Sequence, residues 1–335
     1  MPNLHEKAME LHRSAFVSDA HCDTLLDIVE GKHKLGERSE KGQIDLPRLH
    51  KGNVSAQVFA IWTPPGRYAD ALKYGMEAVD AFLKEVDAND DLILATSGND
   101  LDIAFSKGAV AGILSLEGAE PLSGSIGVLR DFYRLGLRLV TLTWNFRNEA
   151  ADGVKESVTG GGLTHFGRDL VEACNELGIV IDVSHLSPAG VEDVLSLSRK
   201  PVIASHSNAA AICDHPRNLT DEQIRGIAAT GGAVGVTFVP DFLRKGGYGA
   251  SITDVLDHID YMVNLVGAEH VMLGSDFDGM GEKVPLGLED VGKLPALTEG
   301  LLERGHGERE IRSILGANFR RVFGEVTKKE QAKSR

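Results

Sequence analysis

A single (β/α)8 barrel of the TIM type is the fold this sequence predicts, and three observations predict it. Eight short apolar, β-branched runs recur along the 335 residues, several apolar almost throughout, as suits strands covered on both faces of a parallel sheet. Amphipathic stretches at helical period lie between them, so that strand and helix alternate eight times. No glycine-rich phosphate loop follows the first run, which takes from the alternative, a doubly wound open sheet, its usual signature.

The runs, in order, are FVSDAH (16–21), VSAQVFAIW (54–62), VAGILSLEG (110–118), RLVTLTWN (138–145), GIVIDVSH (178–185), PVIASH (201–206), AVGVTFV (233–239) and HVMLGSDFDG (270–279). The clearest helix is LTHFGRDLVEACNELG, where Phe166, Leu170, Val171, Cys174 and Leu177 form one stripe and Gly178 stops it. SPAGVEDVLSLSR starts with Ser187 as N-cap and Pro188 in the first turn. ITDVLDHIDYMVNLVG and EREIRSILGANFRRVFGEV read as further helices. The stretch from about 31 to 43 and the glycines at 160–162 read as loops over one barrel face. With no linker, repeat or low-complexity tract, residues 1–335 are expected to form one domain, its barrel core spanning about 16–325.

Composition narrows the setting. Forty-two per cent of the residues are hydrophobic, enough for a sizeable core, and 49 acidic against 35 basic residues give a formal net charge of −14. Such a field repels nucleic acid and anionic membranes. The N-terminal MPNLHEKAMELHRSAF lacks the apolar stretch of a secretory signal, no run is long enough to span a bilayer, and the tail KKEQAKSR is a solvated charged end. Cys22, Cys174 and Cys213 are few, odd in number and without CxxC spacing, which fits a reducing compartment and opposes a disulfide framework or thiolate zinc site. A soluble cytoplasmic protein is expected.

The chemistry is expected at the carboxyl ends of the strands. His21 and Asp23, two apart at the end of the first run, point the same way while Cys22 points the other. The remaining run ends supply Glu117, His185, His206 and Asp276. Singly, each has an ordinary reading: a polar turn or helix cap at Asp23, a loop acid at Glu117, a capping or core histidine at His185 and His206, a turn at Asp276. Together they are three imidazoles and three acids closing five strands of a barrel that can bury few polar groups unpaired. Two zinc-like ions sharing a carboxylate suit that set. Glu117 is the natural bridge, with His21 and Asp23 completing one site, and His185 and His206 the other. Arg217, eleven residues after His206, could hold a carboxylate bidentately, and Arg147 is a weaker candidate of that type. His5, His12, His33, His50, His165, His215, His258, His270 and His306 read mostly as surface or structural residues.

At these residues the chain closely resembles the membrane (renal) dipeptidase family, in particular its non-membrane bacterial members, a binuclear zinc branch of the amidohydrolase-type barrels. The matching stretches are DAHCDT, LSLEGAEPL, LRLVTLTWN, GLTHFGRDLVEACNELGIVIDVSH, PVIASHSNA with PRNLTDEQ, GSDFDG, PLGLEDVGKLPALTEGLLERG and LGANFRRVF, spread over about 16–325. The resemblance implies two Zn2+ ions on the five ligands named above, Glu117 bridging, with Arg217 on the substrate's terminal carboxylate and Asp276 moving the proton. It implies hydrolysis of dipeptides, L-L and L-D, by a hydroxide shared between the ions, in a homodimer. One departure bears on the substrate. Where the renal enzymes carry a substrate-binding histidine this chain has Trp144, followed by Asn145; both are expected to bind substrate, by contacts that must differ from the histidine's. Ala119 likewise replaces the second glycine of the renal EGG motif. A rival reading is a related binuclear amidohydrolase acting on lactones, acylamino acids or cyclic amides; another is a catalytically silent metal-binding or partner-binding barrel, although no ligand is lost.

Overall fold

The computed structural model describes residues 3–328. The tail expected to be a solvated end therefore lies, except for Lys328, outside the described residues, as do Met1 and Pro2. Among the described residues nine parallel strands make one sheet: β1 (Val17–Asp19), β2 (Val54–Trp62), β3 (Leu92–Leu94), β4 (Val110–Glu117), β5 (Leu137–Thr141), β6 (Val180–Asp182), β7 (Val202–Ala204), β8 (Ala233–Val236) and β9 (Val271–Leu273). Eight of them run β1-β2-β4-β5-β6-β7-β8-β9 around a barrel. The seam closes where Ala20 N donates to Leu273 O (3.0 Å) and Cys22 bridges to Phe277. All eight runs expected to be strands contribute one. The ninth, β3, was not anticipated; it pairs only with the first residues of β4, from Leu92 opposite Val110 to Leu94 opposite Gly112.

Most ladders are shorter than the apolar runs that announced them. GIVIDVSH keeps only Val180–Asp182 in the ladder and HVMLGSDFDG only Val271–Leu273. The residues beyond leave the sheet at the top of the barrel, and they carry the site.

Local chemistry sets the helix ends. Thr164 Oγ1 accepts from Gly167 N at the start of the helix His165–Leu177, and Gly178 stops it at φ 76°, a left-handed conformation that costs glycine little. Ser187 caps Pro188–Leu197 by accepting from Gly190 N. The stretch EREIRSILGANFRRVFGEV is not one helix. It divides into Glu308–Arg312, a π turn Ser313–Ala317 and Asn318–Thr327. The break follows from a close approach: a Cβ on Gly316 would lie 2.4 Å from Phe16 O and 2.8 Å from Ser18 N, so helix regularity yields to packing against β1.

Two apolar cores result. One lies between the strands and the surrounding helices. The other fills the lumen, where Val58, Ile113, Leu139, Val180, Ile203 and Met272 meet Phe319, Val322, Phe323 and Val326 of the last helix. That helix stoppers the lower end, each buried phenylalanine stabilising the fold by roughly 1.5–3 kcal/mol. No described helix is long and apolar enough to cross a membrane.

Candidate metal centre

Beyond β1 the chain stays extended between β2 and the β9 loop: Cys22 N donates to Val58 O (3.1 Å) and Asp23 N to Phe277 O (2.9 Å). Alternation then turns His21 and Asp23 toward the barrel mouth and buries Cys22 in the outer core. His21 Nε2 lies 3.5 Å from Asp23 Oδ2 and 3.6 Å from Glu117 Oε2. Glu117, the last residue of β4, turns its other oxygen away from His21: Oε1 is 2.8 Å from His185 Nε2 and 3.8 Å from His206 Nε2. One carboxylate thus faces imidazoles with both oxygens, and the sets adjoin: the His21 and His206 rings lie 3.8 Å apart, and one ligand atom each of His21, Glu117 and His206 lie within 4.8 Å of one another. His185 lies three residues past β6 and Asp276 three past β9, both at φ 66°, conformations that cost a non-glycine residue about 1–3 kcal/mol and collect at functional sites.

Hydrogen bonds fix the tautomers of two rings. His185 Nδ1 faces Asn145 Oδ1 at 2.9 Å, an acceptor, so Nδ1 carries the proton. His206 Nδ1 lies 2.7 Å from Ser205 Oγ, whose own proton goes to Asp182 Oδ2 at 2.6 Å, so His206 Nδ1–H donates as well. Both Nε2 atoms are then bare lone pairs, yet they sit 2.8 Å apart beside Glu117 Oε1. Three acceptors converging on one buried point repel one another unless a cation joins them. Burial, with the Arg217 and His21 charges, pushes both imidazoles well below their usual pKa, so they are neutral donors for such an ion. On the other side, both nitrogens of His21 and Oδ1 of Asp23 are buried without a hydrogen-bond partner, Nε2 having only the longer ion-pair contacts to Asp23 and Glu117. Burial opposes charge on His21, but Glu117 and Asp23 outweigh it and raise its pKa well above the ordinary value. The donor set fits divalent metal.

Asp276 joins that second group: one oxygen each from Asp23 and Asp276 and one nitrogen of His21 lie within 4.8 Å of one another. Burial raises the Asp276 carboxyl well above the usual range, opposed by His21 and Arg217 and reinforced by Asp23 and Glu117. Gly279 is the only residue that fits there, since a Cβ would sit 2.1 Å from Asp23 Oδ2 and 2.4 Å from Asp276 Oδ1.

A cavity of about 250 Å³ opens over these groups, reached also by Arg217, Trp62, Trp144, Asn145, Leu26 and Phe242. The Arg217 guanidinium is buried, donates from Nη2 to His206 O (3.2 Å) and has no partner at Nε. Burial lowers its pKa to about 10, still a cation at neutral pH. Trp144 lines the cavity edge-on to Trp62, ring centroids 5.1 Å apart. Arg147 is not among the residues lining the cavity; its exposed guanidinium is ion-paired with the buried carboxylate of Asp152. Of the remaining histidines, His12 and His258 are buried in helices and fully bonded, whereas His5 and His50 pair with surface acids.

Several contributors were not named in advance. Asp182 accepts from Ser184 N, Ser205 N, Thr141 Oγ1 and Ser205 Oγ, locking β5, β6 and β7 beneath His206. Asp19 does the same across the seam, accepting from Ser275 N and Ser275 Oγ. Asp278 accepts from Thr24 Oγ1 and Gln43 N, clasping the 31–43 loop over this face. A buried Asp two or three residues before a strand-end histidine was the available signal.

Comparison with known proteins identifies the family. The model of the membrane dipeptidase family (peptidase family M19) matches residues 5–335. The chain is 36% identical over 297 aligned positions to dipeptidase aclJ of Aspergillus oryzae, covering 85% of this chain and 70% of that protein. It is 36% identical over 336 positions to dipeptidase 3 of Rattus norvegicus, covering 97% and 68%. Among solved structures, a metallo peptidase from Rhodobacter sphaeroides, liganded with a phosphinate mimic of the dipeptide L-Ala-D-Ala, superposes with TM-score 0.88 at 30% identity, over 93% of this chain and 99% of that one. An amidohydrolase from Pseudomonas aeruginosa superposes at 0.83 with 29% identity, over 95% and 98%. The chain belongs to the membrane dipeptidase family, peptidase family M19, and is a hydrolase of the metallo-dipeptidase class.

Proposed function

We propose that this enzyme hydrolyses dipeptides at a centre of two zinc ions, one held by His21, Asp23 and Glu117 and the other by Glu117, His185 and His206. The observation that carries the reading is the division of Glu117, with Oε2 toward His21 and Oε1 toward His185 and His206. When bound, zinc supplies a Lewis acid that lowers the pKa of a coordinated water from about 15.7 toward about 7. Arg217 grips the terminal carboxylate of the substrate and limits it to short peptides. Asp276, which lines the cavity beside His21 and Asp23, takes the proton of the attacking water and delivers it to the leaving amine. Asn145 and Ser205 hold the His185 and His206 rings so that Nε2 faces inward. The small cavity suits a substrate of dipeptide size. The dipeptide mimic bound by the Rhodobacter sphaeroides relative supports an L-D substrate beside L-L ones. Zinc as the ion, both stereochemistries, a homodimer and a cytoplasmic setting are the finer parts of this proposal.

The test is a kinetic panel of L-L and L-D dipeptides on metal-quantified protein. Turnover with about two zinc ions per chain is expected. Lactone or acylamino-acid hydrolysis without dipeptide turnover would favour the rival amidohydrolase reading.

A further inference from the structure

Trp62 has no part in metal binding or proton transfer, yet it lines the cavity over the candidate ligands. It ends β2 opposite Glu117 in the parallel register, so both side chains emerge on the same face of the sheet, toward the mouth. The strand order places it further. In the ring of eight, β2 and β7 are four places apart and so face each other across the lumen. Arg217 is tied to the end of β7 through His206 O. A dipeptide whose carboxylate rests on Arg217 and whose scissile bond lies over the centre must send its N-terminal residue toward β2. Consecutive Cα atoms are only about 3.8 Å apart, so the first side chain meets the wall immediately beyond the metals. That wall is Trp62 with Trp144 edge-on at 5.1 Å, and Leu26 completes it.

We infer that Trp62 and Trp144 form the subsite for the N-terminal side chain of the substrate and select a bulky uncharged one, aromatic or branched aliphatic. The inference rests on the dipeptidase reading above. Indole faces offer large apolar area and edge-to-face partners for another ring. A cationic side chain is disfavoured because Lys155 Nζ already lies 5.9 Å from the Trp144 ring and 5.0 Å from the Phe146 ring. Trp62 acts by binding a part of the substrate remote from the reacting atoms, so its effect falls mainly on KM.

The experiment measures kcat and KM for Gly-Ala, Ala-Ala, Leu-Ala, Phe-Ala and Lys-Ala, with Ala-Gly and Ala-Phe as a series varied at the other residue. Wild-type enzyme, Trp62→Ala and Trp62→Phe are compared. Wild-type kcat/KM is expected to favour Phe-Ala over Gly-Ala by about tenfold or more, chiefly through KM. Trp62→Ala removes most of that ratio, Trp62→Phe keeps most of it, and the ratio of Ala-Phe to Ala-Gly stays unchanged in both. Equal wild-type rates across the Xaa-Ala series, a preference for Lys-Ala, or a Phe-Ala preference that survives Trp62→Ala would each overturn the subsite while leaving the dipeptidase intact. No turnover of any dipeptide by metal-loaded wild type would instead overturn the proposed function, and the subsite with it.

Discussion

The outer helical shell and the barrel mouth both bury imidazoles, and they treat the ring nitrogens differently. In the shell, His12 Nε2 donates to Gly52 O (2.9 Å) and Nδ1 accepts from Thr298 Oγ1 (2.7 Å). His258 Nε2 donates to Leu243 O (3.0 Å) and Nδ1 accepts from Ala209 N (3.2 Å). Each of these rings is complete within the protein. At the mouth, His185 and His206 find a protein acceptor for Nδ1 alone, and His21 finds a hydrogen-bond partner for neither nitrogen. Buried polar atoms are almost always bonded, so the count of partners separates a structural histidine from a ligand. Spacing along the chain could only suggest the division.

The largest expected effect belongs to the mouth. Asp276→Asn should lower kcat by about 10²–10⁴-fold with metal content unchanged by elemental analysis; full turnover in the variant would refute the proton-transfer role. Next comes a paired test of the two kinds of imidazole support. Ser205→Ala removes the acceptor that fixes His206 and should weaken zinc affinity about 10–100-fold, read by competition with a chromophoric chelator. Thr298→Val, which removes the equivalent support from His12, should cost about 1 kcal/mol of unfolding free energy and leave zinc affinity alone. If Thr298→Val moved the zinc affinity as far as Ser205→Ala, the distinction between shell and mouth would fail.

The smallest effect is a pH dependence of stability from the shell. Burial lowers the pKa of His12 and of His258 below 6.5, outweighing the raising effect of their carbonyl partners. Below about pH 6.5 the unfolded chain binds protons that the folded one refuses, so stability is full above that pH and declines as the solution is acidified toward the lowered folded values. Urea unfolding of wild type and His12→Gln at pH 7.5 and 5.5 should give a shallower decline in the variant. An equal decline would mean that His12 titrates alike in both states.

These contrasts also explain what could be read from sequence. The barrel was legible because strands covered on both faces must be apolar throughout, and the candidate ligands stand out in the sequence because they terminate such runs. β3 escaped notice since three residues, Leu92–Leu94, are too few to form a pattern. The broken helix at Gly316 escaped because its cause, the approach of Phe16 O, lies about 300 residues away in the chain. The supports of the site are long-range too: Asp182 reaches Thr141 and Ser205, and Asn145 reaches His185, 40 positions on. Asn145 was expected to bind substrate. It lines the cavity, but its carbonyl oxygen is engaged by His185, a role that a tryptophan–asparagine pair gives no means of anticipating.

The stoppered lumen bears on how the chain is made. Every strand is synthesised before Phe319, Val322, Phe323 and Val326, the residues that close the barrel floor. At about 5–20 residues per second, the stretch from Leu273 to Phe319 occupies a ribosome for several seconds. During that interval all eight staves exist, but their inward apolar faces lack a floor. The nascent barrel is thus most prone to self-association just before its final helix emerges, and a chaperone that holds it then would do the most good.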